Sequence, residues 1–235
     1  MGYHLARILH EDGAKITGII ERDAGIYSAS GLDPVAVKQH LIKEGTLKNY
    51  ELADEIETQD PTFLLRKKCD VFAPCATDGS INMHNAQHIK AKVILEGANG
   101  PTTFRGDQIL QRKGILVIPD LLANVGGVTV SYFEWLKNLS HVAPGRMTKK
   151  YQEQQKQDLL KMLGYRFPES SPLRKHIQGA EEIDLVKSGL EEIMVQATRE
   201  HWGYALERQI SLREACIAKS LTKLATRFER SGMMI

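Results

Sequence analysis

The sequence has few cysteines, few aromatic residues, almost no net charge and no long apolar run. Its three cysteines, Cys69, Cys75 and Cys216, lack the close paired spacing of a metal site, and we expect buried free thiols in a reducing compartment. A formal net charge of +2 and aromatic residues at only 6% leave no clustered basic and aromatic motif for nucleic acid. No stretch approaches the ~20 apolar residues of a membrane span. These absences argue against metal, nucleic-acid and membrane functions.

The first half of the chain alternates short apolar runs with helical patterns. Strands are predicted at 16–20, 69–73, 92–96 and 115–118. Helices are predicted at 3–11, 34–43 and 101–112, with a weaker one at 82–89, whereas 22–33 is predicted as a polar loop and 45–60 as a partly helical connector. Strands that alternate with helices predict an α/β fold with a mostly parallel sheet.

After Pro119 no strand-like run recurs, and the pattern becomes all-helical. One helix is predicted over 121–139 despite Gly126 and Gly127, and three more over 149–163, 180–207 and 211–230. Ser211 is followed three residues later by Glu214, which predicts a capping box at the start of the last helix.

The chain starts with the layout of the second half of a dinucleotide-binding unit. Gly2 opens a helix, and Glu21 ends the next apolar run about 20 residues later. The preceding strand and two further glycines would lie before residue 1, so we expect a Rossmann-like sheet that lacks its first strand. A carboxylate at Glu21 can accept hydrogen bonds from the adenosine ribose and favours NAD, although it is equally typical of an ordinary strand end.

Two later segments have the composition of a ligand site. Asn99 lies in a glycine-rich turn directly after a predicted strand, where ligands bind in open α/β sheets, although a plain turn with a helix cap has the same pattern. Asn124 and Ser131 are seven residues apart, which places them on one face of the predicted helix 121–139. The alternative is a kinked core helix with a polar side.

These segments resemble hexameric glutamate dehydrogenase of the animal mitochondrial type, within the glutamate, leucine, phenylalanine and valine dehydrogenase family. The resemblance is carried by Glu96-Gly-Ala-Asn-Gly-Pro-Thr-Thr103, Ile118-Pro-Asp-Leu121 and Gly126-Gly-Val-Thr-Val-Ser-Tyr-Phe-Glu-Trp-Leu-Lys-Asn-Leu139. It implies NAD(P)-dependent oxidative deamination of L-glutamate to 2-oxoglutarate and ammonia, with NAD favoured and NADP not excluded. It also implies a homo-hexamer in the mitochondrial matrix.

The resemblance further implies a role for individual residues. Ser131 would bind a substrate carboxylate, and the cofactor would be bound by Gly2, Glu21, Ala76, Thr77, Asn99 and Asn124. The family's catalytic lysines and aspartate belong to an N-terminal domain that has no counterpart here, so we expect no catalytic residue in this chain and no activity from it alone.

Effector sites of the family also map onto the chain. Two effector-binding arginines one turn apart correspond to Arg7 and Glu11, and further effector contacts correspond to Lys187 and Gln196. Because Glu11 would repel a bound triphosphate, we expect weak or no inhibition by GTP.

The resemblance divides the chain into three parts. These are a truncated dinucleotide-binding domain at 1–140, an antenna-like helical insert at 141–185, and C-terminal helices at 186–235 that pack back on the core. Two alternatives stay open: another branched-chain or aromatic amino-acid dehydrogenase of the same family, and a non-catalytic regulatory or assembly subunit.

Overall fold

The computed structural model describes residues 1–141, 144–164 and 177–231, with only the backbone described for 144–147. The chain divides into two compact units, one formed by Met1–Asn124 together with the chain from His201 onward, and one by Val125–Glu200. This division by contacts differs from the predicted functional boundaries at 140 and 185, which stay predictions. Residues 142–143 and 165–176 of the predicted insert lie outside the described ranges.

The first unit begins with a helix and a small antiparallel sheet. Helix α1 (Gly2–Glu11) precedes β1 (Gly18–Ile20), which pairs with β2 (Gly25–Tyr27), and β2 pairs in turn with β3 (Glu55–Glu57). The predicted loop 22–33 therefore contains β2, and the predicted connector 45–60 contains β3, so both predictions were wrong. Each strand has only three residues. The central strand is β2, and its Ile26 is completely buried. The polar residues on either side of β2 make this short strand hard to recognise in the sequence.

Helix α2 (Pro34–Glu44) forms as its boundary residues predict. Asp33 caps it by accepting a 2.8 Å hydrogen bond from the Val35 amide, and Pro34 occupies the first turn. The helix ends at Gly45, whose φ of 71° is a left-handed conformation that glycine adopts without strain.

A parallel sheet forms the main core of the first unit. Strands β4 (Lys68–Phe72), β5 (Lys90–Leu95) and β6 (Leu116–Ile118) lie side by side in that order, which confirms the parallel α/β arrangement for these three strands. The strand predicted at 16–20 is β1 and lies in the antiparallel sheet instead, because it pairs with β2. Helix α3 (Phe104–Arg112) covers the sheet, and the large, fully buried side chains of this core are Ile81, Ile89, Ile94 and Leu110. The helix predicted at 82–89 is only a short 3-10 turn, Ala86–His88.

The helix predicted over 121–139 is two helices. The first, α4 (Asp120–Ala123), ends at Asn124, which has φ −102° and ψ 0°, and the second, α5 (Gly126–Ser140), belongs to the second unit. The prediction that Asn124 and Ser131 share one helical face was therefore wrong, because the helix is interrupted at Asn124. The side chain of Asn124 donates hydrogen bonds to a neighbouring loop.

Three further helices complete the described chain: α6 (Pro144–Met162), α7 (Glu182–Arg208) and α8 (Leu212–Ser231). In the first unit α8 packs against β6 and α4, and it buries Leu212, Ala215 and Cys216. The predicted capping box is confirmed, since the Ser211 amide donates to the Glu214 carboxylate at 2.8 Å and the Glu214 amide donates to Ser211 Oγ at 3.2 Å. In the described ranges, no helix combines the length and apolarity that a membrane crossing needs.

The three cysteines are free thiols, but only one is fully buried. Cys216 is buried in the first unit, whereas Cys69 and Cys75 are half-buried, so the expectation of burial was wrong for those two. Burial raises the pKa of all three thiols above the ordinary value, which keeps them protonated at neutral pH.

Candidate dinucleotide site

The carboxyl ends of β4 and β5 meet the start of α1 within the first unit. The amides of Gly97 and Ala98 both donate to the Pro74 carbonyl, at 3.0 and 2.9 Å. A Cβ placed on Gly97 would lie 2.6 Å from the Cys75 Sγ, and one placed on Gly2 would lie 3.4 Å from the Cys75 Cβ. Any larger residue at position 97 would force the Cys75 side chain to move, and the close approach lies at the strand ends where open α/β sheets bind ligands.

The first turn of α1 suits an anion. Met1 caps this helix without a side-chain hydrogen bond, and its first turn contains no acidic residue. The first amides of a helix lack partners within the helix and point along its positive end, so this turn can bind a phosphate group. Gly2 opens this helix, as predicted, and it lies close to Cys75 at the end of β4.

Residues 97–100, which we call the strand-end loop, are bonded to Asn124. The side-chain Nδ2 of Asn124 donates to Asn99 Oδ1 at 2.6 Å and to the Ala98 carbonyl at 3.3 Å. Asn99 itself is exposed at the sheet edge, so a ligand from solvent can reach it. The structure therefore joins two of the predicted cofactor-binding residues in one hydrogen-bonded pair.

A single guanidinium connects the strand-end loop with the last helix. Arg213, in the first turn of α8, contacts three carboxylates, which we call the carboxylate cluster: Glu96 at 2.6 Å, Asp107 at 3.3 Å and Asp120 at 3.6 Å. Glu96 is completely buried. Burial alone would lower the pKa of Arg213, but the hydrogen bond and attraction from Glu96 and Asp107 outweigh it and raise that pKa.

Sequence reasoning missed Arg213 and the carboxylate cluster. Glu96 directly follows an apolar strand, and a buried carboxylate needs a cation or hydrogen-bond donors, so a partner could have been expected. Its identity could not, because the arginine lies 117 positions away in the chain.

Glu21 follows the last residue of β1 and is exposed. Its amide donates to the Ala24 carbonyl at 3.0 Å, and among the described residues its carboxylate has no hydrogen bond or ion pair. Both carboxylate oxygens can therefore accept hydrogen bonds from a ligand. Ala76 and Thr77, also predicted to contact the cofactor, are exposed in the loop after β4.

Ser131 lies in α5 of the second unit and is exposed. Its hydroxyl donates to the Gly127 carbonyl at 3.0 Å, a bond between residues four apart in a helix. A serine has one hydroxyl proton, so donation to a substrate carboxylate would require that hydroxyl to rotate. Two glycines begin α5. A Cβ placed on Gly126 would lie 3.6 Å from Leu190 Cδ1, whereas Gly127 is exposed with open space beside it.

The predicted effector residue Arg7 is already paired. Its guanidinium forms an ion pair with Glu11 one turn later on α1. The pair cancels the positive charge that a phosphate would need. Within the described ranges no group of three His, Cys, Asp or Glu side chains could hold a metal ion.

The family model for glutamate, leucine, phenylalanine and valine dehydrogenases matches residues 1–165. The chain belongs to this family. It is 40% identical over 240 residues to the mitochondrial glutamate dehydrogenase of Dictyostelium discoideum, an alignment that covers 99% of this chain and 46% of that protein. It is also 44% identical over 132 residues to the glutamate dehydrogenase of Thermotoga maritima, covering 56% of this chain and 31% of that protein.

This chain has the same fold as the matching part of solved glutamate dehydrogenase structures. The hetero-hexameric glutamate dehydrogenase of Thermus thermophilus superposes with a TM-score of 0.74 at 20% identity, over 100% of this chain and 46% of that chain. The glutamate dehydrogenase of Plasmodium falciparum gives a TM-score of 0.70 at 18% identity, over 99% and 44%. The chain spans about half the length of the relatives it matches.

Proposed function

We propose that this chain forms the dinucleotide-binding part of a glutamate dehydrogenase, an enzyme that converts L-glutamate to 2-oxoglutarate and ammonia with NAD as the hydride acceptor. The observation that carries the proposal is the meeting of the α1 N-terminus with the ends of β4 and β5, at the Asn99–Asn124 pair. The 40% identity to a glutamate dehydrogenase over nearly the whole chain favours glutamate over the other substrates of the family.

Each part of the site has a binding role in this proposal. The free amides at Gly2 bind the pyrophosphate, and the Glu21 carboxylate accepts hydrogen bonds from both hydroxyls of the adenosine ribose. The same carboxylate repels a 2′-phosphate, so NAD is preferred over NADP. Asn99 and Asn124 bind the nicotinamide side, and Ala76 and Thr77 line the path between the two halves.

The chemistry proposed for this chain is orientation. NAD, when bound, supplies the hydride acceptor, and the protein fixes where the reacting carbon of glutamate lies relative to it. Ser131 would contribute one hydrogen bond to a glutamate carboxylate. None of these residues is an acid or base for the proton transfers of deamination, and we therefore propose that the 235-residue chain binds NAD without oxidising glutamate.

Assembly and location are part of the same proposal. The relative from Dictyostelium is a mitochondrial enzyme, and the Thermus enzyme supports the number of six subunits although its subunits are of different kinds. We propose a homo-hexamer in the mitochondrial matrix for the enzyme that contains this chain. Sedimentation of that enzyme at six times its subunit mass would support the assembly, and a stable monomer would contradict it.

Isothermal titration of the full chain with NAD and NADP tests the cofactor assignment. A 1:1 complex with NAD and a weaker one with NADP are expected, because only NADP places a phosphate against Glu21. A non-catalytic assembly subunit would bind neither, and that result would overturn the proposal. Leucine, valine, phenylalanine and glutamate, compared as substrates of the enzyme that contains this chain, would identify a different amino-acid dehydrogenase.

A further inference from the structure

Arg213 links the last helix to the loop that precedes α3. Its side chain is 20% exposed, and it lies between a completely buried carboxylate, Glu96, and two mostly buried ones, Asp107 and Asp120. The planar guanidinium has five N–H donors in a fixed arrangement, so it can serve three acceptors at once.

Three hydrogen bonds connect the guanidinium with the strand-end loop, and the first is the bond from Arg213 to Glu96. The second oxygen of Glu96 accepts from the Asp120 amide at 2.9 Å, and Asp120 Oδ2 accepts from the Gly100 amide at 2.8 Å. Asp120 also begins α4, and its carbonyl accepts from the Asn124 amide at 3.2 Å. The same aspartate thus holds one end of the loop and starts the helical turn that places Asn124.

The positive charge is needed for this arrangement. Without Arg213, three carboxylates would be close together in a mostly buried cluster, where like charges repel strongly. Asp120 could relieve the repulsion by turning toward solvent, and that movement would release the Gly100 amide. The Asn99–Asn124 pair would then lose its fixed position.

We propose that Arg213 is a positioning residue for the nicotinamide side of the dinucleotide site. It touches no cofactor atom, and it acts through Glu96 and Asp120 on the strand-end loop. This assignment rests on the proposed function, in which the loop binds the nicotinamide half of NAD and Glu21 binds the adenosine half. It predicts that the two halves respond differently when Arg213 is changed.

The test compares NAD with ADP-ribose, which keeps the adenosine and pyrophosphate groups but lacks nicotinamide. In the full chain, Arg213→Met should raise the Kd for NAD about tenfold, the size expected when one well-placed hydrogen-bonded contact is lost. The Kd for ADP-ribose should stay within about twofold, since the Glu21 side is untouched. A purely structural loss would weaken both ligands together or neither.

Companion variants protect the test against a failure to fold. Asp120→Ala removes the acceptor of the Gly100 amide and should weaken NAD selectively, as Arg213→Met does. Arg213→Lys keeps the positive charge but lacks the planar arrangement of five N–H donors, and it should give an intermediate Kd for NAD. Lys67→Met is the matched control: it breaks the ion pair with Glu55, 2.6 Å apart in the same unit, and should leave both Kd values unchanged.

The outcomes separate this assignment from the proposed function. If the unmodified chain binds NAD and the Arg213 and Asp120 variants bind it equally well, only the role of Arg213 is overturned. Equal weakening of NAD and ADP-ribose also overturns it. If the unmodified chain binds neither ligand, the proposed function fails, and the role of Arg213 fails with it.

Discussion

The completely buried carboxylate of Glu96 accepts a 2.6 Å hydrogen bond from Arg213, which lies 117 positions later in the chain. Removal of one partner from a buried ion pair leaves the other charge without compensation. Such a loss costs about 3–5 kcal/mol. The pair therefore links the stability of the first unit to the geometry of its candidate site.

Arg213→Met should lower the free energy of unfolding by about 3 kcal/mol, since Glu96 would stay buried without its partner. Glu96→Gln in the same chain should recover part of that loss, because the double variant no longer buries an unpaired charge. Thermal unfolding of the two single variants and the double variant measures the coupling. Additive losses would show that the two side chains stabilise the fold independently.

Glu21→Gln should weaken NAD binding about tenfold, because a charged acceptor for the ribose hydroxyls is replaced by a neutral one. It should also reduce the preference for NAD over NADP, since the repulsion of the 2′-phosphate is gone. Titration with both dinucleotides measures the change, and Glu51→Gln, an exposed glutamate of the same unit, is the control. Unchanged affinities for both would remove Glu21 from the site.

Gly97→Ala should destabilise the junction of β4 and β5 by about 1–3 kcal/mol, because the new Cβ would lie 2.6 Å from the Cys75 Sγ. Cys75→Ala removes that sulfur and should restore most of the loss in the double variant. Melting temperature and NAD affinity of the four chains provide the readout. A double variant no better than Gly97→Ala alone would mean that another contact forbids the side chain.

The capping box at α8 should make stability depend on acid pH. Hydrogen bonds from the Ser211 hydroxyl and amide hold the pKa of Glu214 below its ordinary value of 4.5. A lowered carboxyl pKa stabilises the fold above about pH 4.5, and that contribution is lost as pH falls through the folded value. Glu214 is exposed, so we expect roughly 0.5 kcal/mol from this source.

Unfolding measured between pH 3 and 6 checks the capping box. Glu214→Gln should flatten this part of the pH profile, and Ser211→Ala should cost about 1 kcal/mol at neutral pH through loss of the cap. An identical pH profile for the Gln variant and the unmodified chain would assign the acid sensitivity elsewhere.

GTP should bind weakly, with a Kd above about 1 mM, because the Arg7 charge is compensated by Glu11. Glu11→Gln would free the Arg7 guanidinium and should tighten GTP binding, whereas Arg7→Gln should not. Calorimetry with GTP distinguishes the variants. Micromolar binding by the unmodified chain would show that the ion pair opens for the nucleotide.

Elements with a local chemical signal were predictable from the sequence. Asp33, Pro34 and Gly45 define α2, and Ser211 with Glu214 starts α8, each through neighbours a few residues away. Strands β2 and β3 were not predictable, because their three residues are ordered by burial and pairing with distant segments.

For the candidate site, too, only contacts between nearby residues could be predicted from the sequence. Asn99 and Asn124 were singled out as site residues and the structure brings them into contact, since turn and strand-end chemistry is local. The single helix through Asn124 was wrong, because a contact across 25 positions outweighs helix continuation there. Arg213 was missed for the same reason over a longer distance.

The Arg213–Glu96 contact also bears on protein synthesis. A ribosome adds about 5–20 residues per second, so the 117 positions between the two residues correspond to roughly 6–23 s of translation. During that interval Arg213 has not yet been synthesised, and Glu96 cannot be buried together with its cationic partner. The nascent chain should therefore acquire a competent nucleotide site only after α8 has emerged and docked, and a chaperone would find the loop exposed until then.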